Sequence, residues 1–280
     1  MSISLPTYRR REMPLLGRRH RAQVIVSTGL RREFRRPAAI FAIAVGSLVT
    51  TVNSIVLVLF APFLLPGQSL NLGFFFIAAS NPAILFFVTL MASFVGAGLI
   101  ADDVHSMALT LYLSRPISVT DYLVAKAAVL GTLVSMLTVL PLAITPLIAG
   151  LLGLFPWDIA LPAIGIAFAV GFLLTAFYTA LALFLSSMTR RKAYAGAGIF
   201  ATTFGLTIPA EILAQPGAIG NPALLYLSPW EDFLAVARAA YGAGPGPIDW
   251  GPSLAILLGV IGLAAFVTYT RMRSMEVVTG

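Results

Sequence analysis

The sequence contains no cysteine, and only 10% of its 280 residues are Asp, Glu, Lys or Arg. The first absence excludes disulfides, thiolate metal sites and a cysteine nucleophile. The second says more, because a soluble domain carries about 25% charged residues. So little charge cannot cover a globule in water, which argues against a soluble enzyme, a disordered chain or a nucleic-acid-binding domain. Lysine is scarcer still: Lys126 and Lys192 are the only two, and neither follows a glycine. The phosphate-cradling G-x-x-x-x-G-K-S/T loop is therefore absent, as are H-E-x-x-H and G-x-S-x-G. The two histidines, His20 and His105, stand far apart and outside any metal-ligand spacing.

What the sequence has is apolar length. Hydrophobic residues make up 59%, and the mean hydropathy is +0.93. Crossing about 30 Å of hydrocarbon takes about 20 apolar residues. Six stretches qualify: 38–64, 82–101, 127–150, 162–186, 194–213 and 253–270. The first starts too late and runs too long for a cleavable signal, so it is expected to stay as an anchor. The fifth ends on Pro209 and Glu211. No charged residue lies near the centre of any span, and Glu211 sits at an end where a carboxylate costs little. Proton- or sodium-coupled transporters, ion channels and intramembrane hydrolases normally need such groups, so energy coupling is expected to come from a separate chain.

The net charge of +7 is local. Residues 1–36 carry ten arginines and two acids, a sum of +8, so the remainder sums to −1. That arm suits the anionic cytoplasmic leaflet, at about 1 kcal/mol per basic residue near the surface, better than it suits nucleic acid. Basic residues mark cytoplasmic loops. Arg115 and Lys126 follow the second span, Arg190, Arg191 and Lys192 the fourth, and Arg271 and Arg273 the sixth. The intervening loops carry Asp158, Glu231, Asp232 and Asp249 against the single basic residue Arg238. The charges predict an all-α integral membrane protein with six spans and both termini in the cytoplasm, placed in the plasma or inner membrane. Its parts would be a basic arm with an interfacial helix (1–36), a six-span domain (37–270) and a short tail (271–280).

Within the spans the polar signals are soft. Ser47, Thr50 and Ser54 share a helical face, where they line a pathway or hold helices together. Gly96, Gly98, Gly196 and Gly198 read as close-packing sites, and Pro141 and Pro146 are expected to kink the third span. Outside the spans, residues 22–36 combine a stripe of Val24, Leu30 and Phe34 with arginines, the pattern of a helix lying in the interface, although Gly29 weakens it. Residues 102–126 carry five charges and cannot cross the membrane. They predict a short helix from Val104 to Leu113 with Asp102 and Asp103 at its favourable N-terminus. A bend at Pro116 follows, then a second helix from Ser118, with Asp121 closing a variant capping box. In the outer segment 214–252, Ser228 as N-cap, Pro229, Glu231 and a terminal Gly242 predict a helix with Phe233, Leu234, Ala237 and Tyr241 on its apolar face. Tyr226, Trp230 and Trp250 suit the membrane interface.

The stretch DDVHSMALTLYLSRPISVTDYLVAK resembles the cytoplasmic segment of ABC-2-type transporter permeases: an acidic pair, an aliphatic run, a serine-arginine-proline-isoleucine turn and a tyrosine-leucine before a lysine. GLRREFRRP before the first span is similar to that family's connecting helix, and the six-span layout with a long outer segment agrees. The resemblance implies a type V exporter-like transmembrane domain and a dimer of this chain with itself or a homologue. It also implies two separate P-loop ATPase subunits that bind the ATP and magnesium, and no catalysis or cofactor in this chain. On the same ground Asp102, Asp103, Leu109, Leu113, Arg115, Pro116, Asp121, Tyr122 and Lys126 belong to the segment that couples permease to ATPase. A membrane scaffold that transports nothing, or a secondary transporter, are the alternative readings of the same residues.

Overall fold

The computed structural model describes residues 18–64, 71–107 and 118–278. All regular structure among them is helical: α1 (Arg18–Glu33), α2 (Pro37–Leu64), α3 (Phe76–Ala79), α4 (Pro82–Met91), α5 (Gly98–His105), α6 (Val119–Leu151), α7 (Trp157–Met188), α8 (Lys192–Ala214), α9 (Pro229–Ala240) and α10 (Trp250–Val278). Six helical segments are long and apolar enough to cross a membrane, the construction of a multi-pass membrane protein: Pro37–Phe60, Pro82–His105, Val119–Leu151, Trp157–Met188, Lys192–Ala214 and Trp250–Ser274. Each of the six expected stretches falls on one of them.

The second span is the centre of the bundle, with 67% of its most apolar window buried against 22% for the first, fifth and sixth. Its position explains the apolar surface of the outer spans. Phe41 and Leu48 on α2 and Leu263 and Phe266 on α10 are all more than half exposed, as side chains facing lipid should be. The longest seam runs between α6 and α7, and α2 and α10 pack on either side of that pair. α6 continues as one helix through Pro141 and Pro146.

The second span is not a plain helix. Between α4 and α5, Ala92–Gly96 forms a π-helical stretch. Such stretches leave backbone groups out of step with the i→i−4 ladder. Ser186 of α7 compensates: its Oγ accepts from the amides of Ile100 and Ala101 at 3.0 Å and donates to the Ala97 carbonyl at 2.7 Å. The glycines beside this stretch are close-packing points. A Cβ on Gly96 would stand 2.7 Å from the Ala182 Cβ, and one on Gly196 would stand 3.1 Å from the Ser93 carbonyl oxygen.

The end of the bundle formed by the start of α4, the turn between α6 and α7 and the start of α10 is closed by short elements. A 3-10 turn, Leu72–Phe75, and α3 bury Phe74, Phe75 and Phe76, and Phe75 packs 4.7 Å from the ring of Phe155. α9 lies against α10, α8, α7 and α3. Its Ser228 caps as expected, accepting from the Glu231 amide at 3.1 Å, and its hydroxyl donates to Thr207 on α8. Gly242, at φ +64°, ends it. Phe233, Ala237 and Tyr241 are buried. Trp250 is exposed as an interfacial side chain would be, whereas Trp230 is buried and stacks on Phe233 at 5.2 Å.

Candidate functional site

At the opposite end lie the last turn of α5 and the start of α6; between them in sequence residues 108–117, Leu109, Leu113, Arg115 and Pro116 among them, fall outside the described residues. The described part differs from expectation in one respect. No new helix begins at Val104: the second span carries its own helix through to His105, Ser106 caps it, and Met107 turns the chain at φ +58°. Asp102 and Asp103 therefore sit in the last turn of α5, where the helix dipole disfavours acids. Residues 98–101 are apolar and buried and carry the span's helix into this turn.

Asp103 is stabilised by tertiary contacts instead. Its Oδ2 accepts from the Tyr122 hydroxyl at 2.7 Å and pairs with Lys126 Nζ at 2.7 Å. Lys126 also lies 5.4 Å from the centroid of the Tyr122 ring. Tyr122 is fully buried, and the Asp103 and Lys126 side chains are each only 7% exposed. Tyr122 and Lys126 are one turn apart on α6, so both face α5. The start of α6 is built as expected, with the Ser118 hydroxyl accepting from the Asp121 amide at 3.2 Å and donating to the Asp121 carboxylate at 2.8 Å. Asp102 is half-buried, and its backbone carbonyl accepts from Ser106.

A second ionic group stands beside the first. Glu33, at the end of α1, is fully buried and is paired with Arg32 Nε and Arg36 Nη1, both at 3.0 Å. Arg32 and Glu33 are close enough to act electrostatically on Lys126. α1 lies on α6, and Gly29 is the reason it can: a Cβ there would stand 2.8 Å from Val129 Cγ2. The apolar stripe of α1 is Val26 and Leu30, which pack on the core, whereas Val24 and Phe34 are exposed. Six residues separate Val24 from Leu30, which places them on different faces at 100° per residue.

Ser47, Thr50 and Ser54 lie within the chain's own packing. Thr50 and Ser54 are buried, Ser47 donates to the Met136 carbonyl of α6 at 2.9 Å, and Thr50 donates to its own helix at Gly46. Of the three, Ser47 joins α2 to α6, a role polar residues commonly take in spans.

Near the α9 end lies an acidic group that sequence reasoning passed over. Asp232 is 1% exposed, and neither carboxylate oxygen has a hydrogen-bond partner among the described residues. Burial pushes it up to about 7, neighbouring Glu231 adds to the rise, and the nearby Ser253 hydroxyl opposes it. Burial raises Glu231 as well, helped by Glu211 and opposed by Arg238. Arg238 itself stacks over the Phe76 ring at 4.5 Å. The signal was an i, i+4 one: Asp232 shares the buried face of α9 with Val236.

No family model and no curated protein matches this chain.

Proposed function

We propose that the chain is the membrane subunit of an ATP-driven exporter of the ABC-2 type. It carries no catalytic site of its own, and two copies or two homologues would surround a shared pathway. Both termini would lie in the cytoplasm with the basic arm on the anionic leaflet. Separate P-loop ATPase subunits, two per complex, would dock on residues 102–126 and supply bound ATP and magnesium. The observation that supports this reading best is the buried Asp103–Tyr122–Lys126 cluster. It ties the last turn of the second span to the first turns of the third, the two helix ends that flank 108–117 in the sequence. Force applied to that segment would reach both spans together instead of being lost in a loose loop. Glu33 and its two arginines bring α1 into the same junction.

The test is purification of the full chain from its native membrane with any bound P-loop ATPase, followed by ATPase and export assays. Arg115→Ala and Pro116→Ala should each leave assembly intact and reduce coupling. Coupling and export that survive deletion of 106–118 would refute the assignment. Transport that collapses with the proton gradient and persists without ATP would instead favour a secondary transporter.

A further inference from the structure

Many hydroxyls of the spans find a hydrogen bond inside the chain. Some donate to their own helix, as Thr132 does to the Ala128 carbonyl and Thr202 to that of Gly198. Others meet across a seam, as Thr138 meets Thr175 and Thr89 meets Tyr178. Asn53 does neither. It is the only Asn or Gln within the six spans, its side chain is exposed on α2, and it makes no hydrogen bond among the described residues.

Depth makes this exposure costly. The 28 residues of α2 extend about 42 Å at 1.5 Å per residue. Asn53 stands about 24 Å from the first of them, about 3 Å from the midpoint. Its carboxamide is therefore well inside a hydrocarbon layer of about 30 Å. The side chain lacks the length with which lysine and arginine reach the surface. Acyl chains offer no hydrogen bond, so a carboxamide facing them stays unsatisfied.

The residues around it form a stripe. Val49, Asn53, Val56, Phe60 and Phe63 succeed one another at alternating spacings of four and three, the repeat of a two-stranded coiled coil. All five are exposed. Toward the start of α2 the same stripe turns into the chain's own bundle at Gly46 and Ala42: a Cβ on Gly46 would stand 2.7 Å from Leu137 Cδ2. The open seam thus covers the half of α2 farther from α1.

We propose that two copies of this chain pair through this seam, with their Asn53 carboxamides hydrogen-bonded to each other. The chemistry selects a second copy as the occupant. Two copies inserted in the same sense are related by a two-fold axis along the membrane normal, which sets each seam residue opposite its own equivalent at the same depth. A carboxamide carries donor and acceptor together, so Asn53 satisfies itself across that axis. Asn53 occupies an a position of the repeat, where a single Asn fixes register and strand number. The seam carries no charge that would select an unlike partner. The inference rests on the chain's crossing a membrane and is independent of the transport reading. A dimer that binds no ATPase leaves it standing, and export by copies paired through another face overturns it alone.

Because the chain has no cysteine, a single introduced one reports on the seam. In the full chain reconstituted into phosphatidylcholine vesicles, oxidation should join Val56→Cys and Phe60→Cys into disulfide-linked dimers. Leu263→Cys, at an exposed position on α10, should stay monomeric. Energy transfer between labelled copies, followed as lipid is added, should show Asn53→Leu dimerising about tenfold more weakly, the scale of interhelical hydrogen bonding in lipid. Asn53→Gln, which keeps the carboxamide, should stay within about threefold of the parent. Asn53 faces out of its own bundle, so neither variant should lower the melting temperature of the monomer. A chain that is monomeric at every dilution, or equal dimerisation of Asn53→Leu and the parent, overturns the proposal. So does cross-linking through Leu263→Cys but not Val56→Cys, or, in the native membrane, linkage of Val56→Cys to a different protein in place of its own copy.

Discussion

Removing one member of the Asp103–Lys126 pair should be far more damaging than removing both. In Lys126→Met the Asp103 carboxylate keeps the Tyr122 hydroxyl at 2.7 Å but loses its cation in a site where the side chain is 7% exposed. Breaking a buried pair on one side costs about 3–5 kcal/mol, because the remaining charge is desolvated and uncompensated. Asp103→Leu strands the lysine and should cost a similar amount. Tyr122→Phe removes one charge-assisted hydrogen bond and should cost about 1.5–3 kcal/mol. The double variant Asp103→Leu/Lys126→Met removes both charges and leaves apolar groups of similar volume, a replacement that is often neutral or stabilising. Denaturant titration of the purified chain in micelles, followed by tryptophan fluorescence, measures all four, and the single and double variants form a cycle whose coupling energy isolates the pair. Single variants within about 1 kcal/mol of the parent, within the range of an exposed surface pair, would refute the burial argument. A double variant as unstable as the singles would show that the cluster is held by something other than mutual neutralisation. If the double variant folds normally yet no longer transmits ATPase activity into export, the pair serves coupling and not stability alone.

Three further outcomes follow from the packing. Ser186→Ala removes the oxygen shared by the Ile100 and Ala101 amides and should cost about 1–3 kcal/mol, with faster amide exchange confined to residues after the π stretch; unchanged exchange would show that the stretch satisfies itself. Asp232 titrates near 7, above its ordinary value of 3.8, so the folded chain retains a proton that the unfolded chain releases. Its contribution is complete below about pH 4 and is lost as the pH rises through about 7, so the melting temperature should fall over that interval. Asp232→Asn should remove this component and melt higher than the parent above neutrality, and a parallel decline in both proteins would assign the effect elsewhere, Glu231 first. Gly29→Leu should lift α1 from α6 and speed tryptic cleavage at its arginines by freeing the helix to unwind, and adding Val129→Ala should partly restore protection, since the clash is with that side chain; no change in cleavage would mean that α1 does not depend on this contact.

The local features of this chain were legible without coordinates. Six apolar runs, the Ser228 and Ser118 caps and the end of α9 at Gly242 each depend on residues within a few positions of one another, and the cost of putting charge into hydrocarbon leaves few other arrangements. Long-range packing decided the rest. The apolar residues 98–101 extend the second span past the point where the acidic pair had marked a new helix, and only the proximity of Lys126 and Tyr122, about 20 positions on, makes that acceptable for Asp103. Gly29 looks like a weak point in a helix until Val129 is placed against it. Ser186 and the π stretch it serves are 85 or more residues apart from donor to acceptor. The buried Thr179 hydroxyl, without a hydrogen-bond partner among the described residues, is invisible in a run of small and apolar residues. Composition and charge determined that six stretches are long and apolar enough to cross a membrane, because transfer free energies act residue by residue. Which buried charge has a partner, and which polar side chain is left facing outward, are set by where distant helices meet, and that was decided only in the folded bundle.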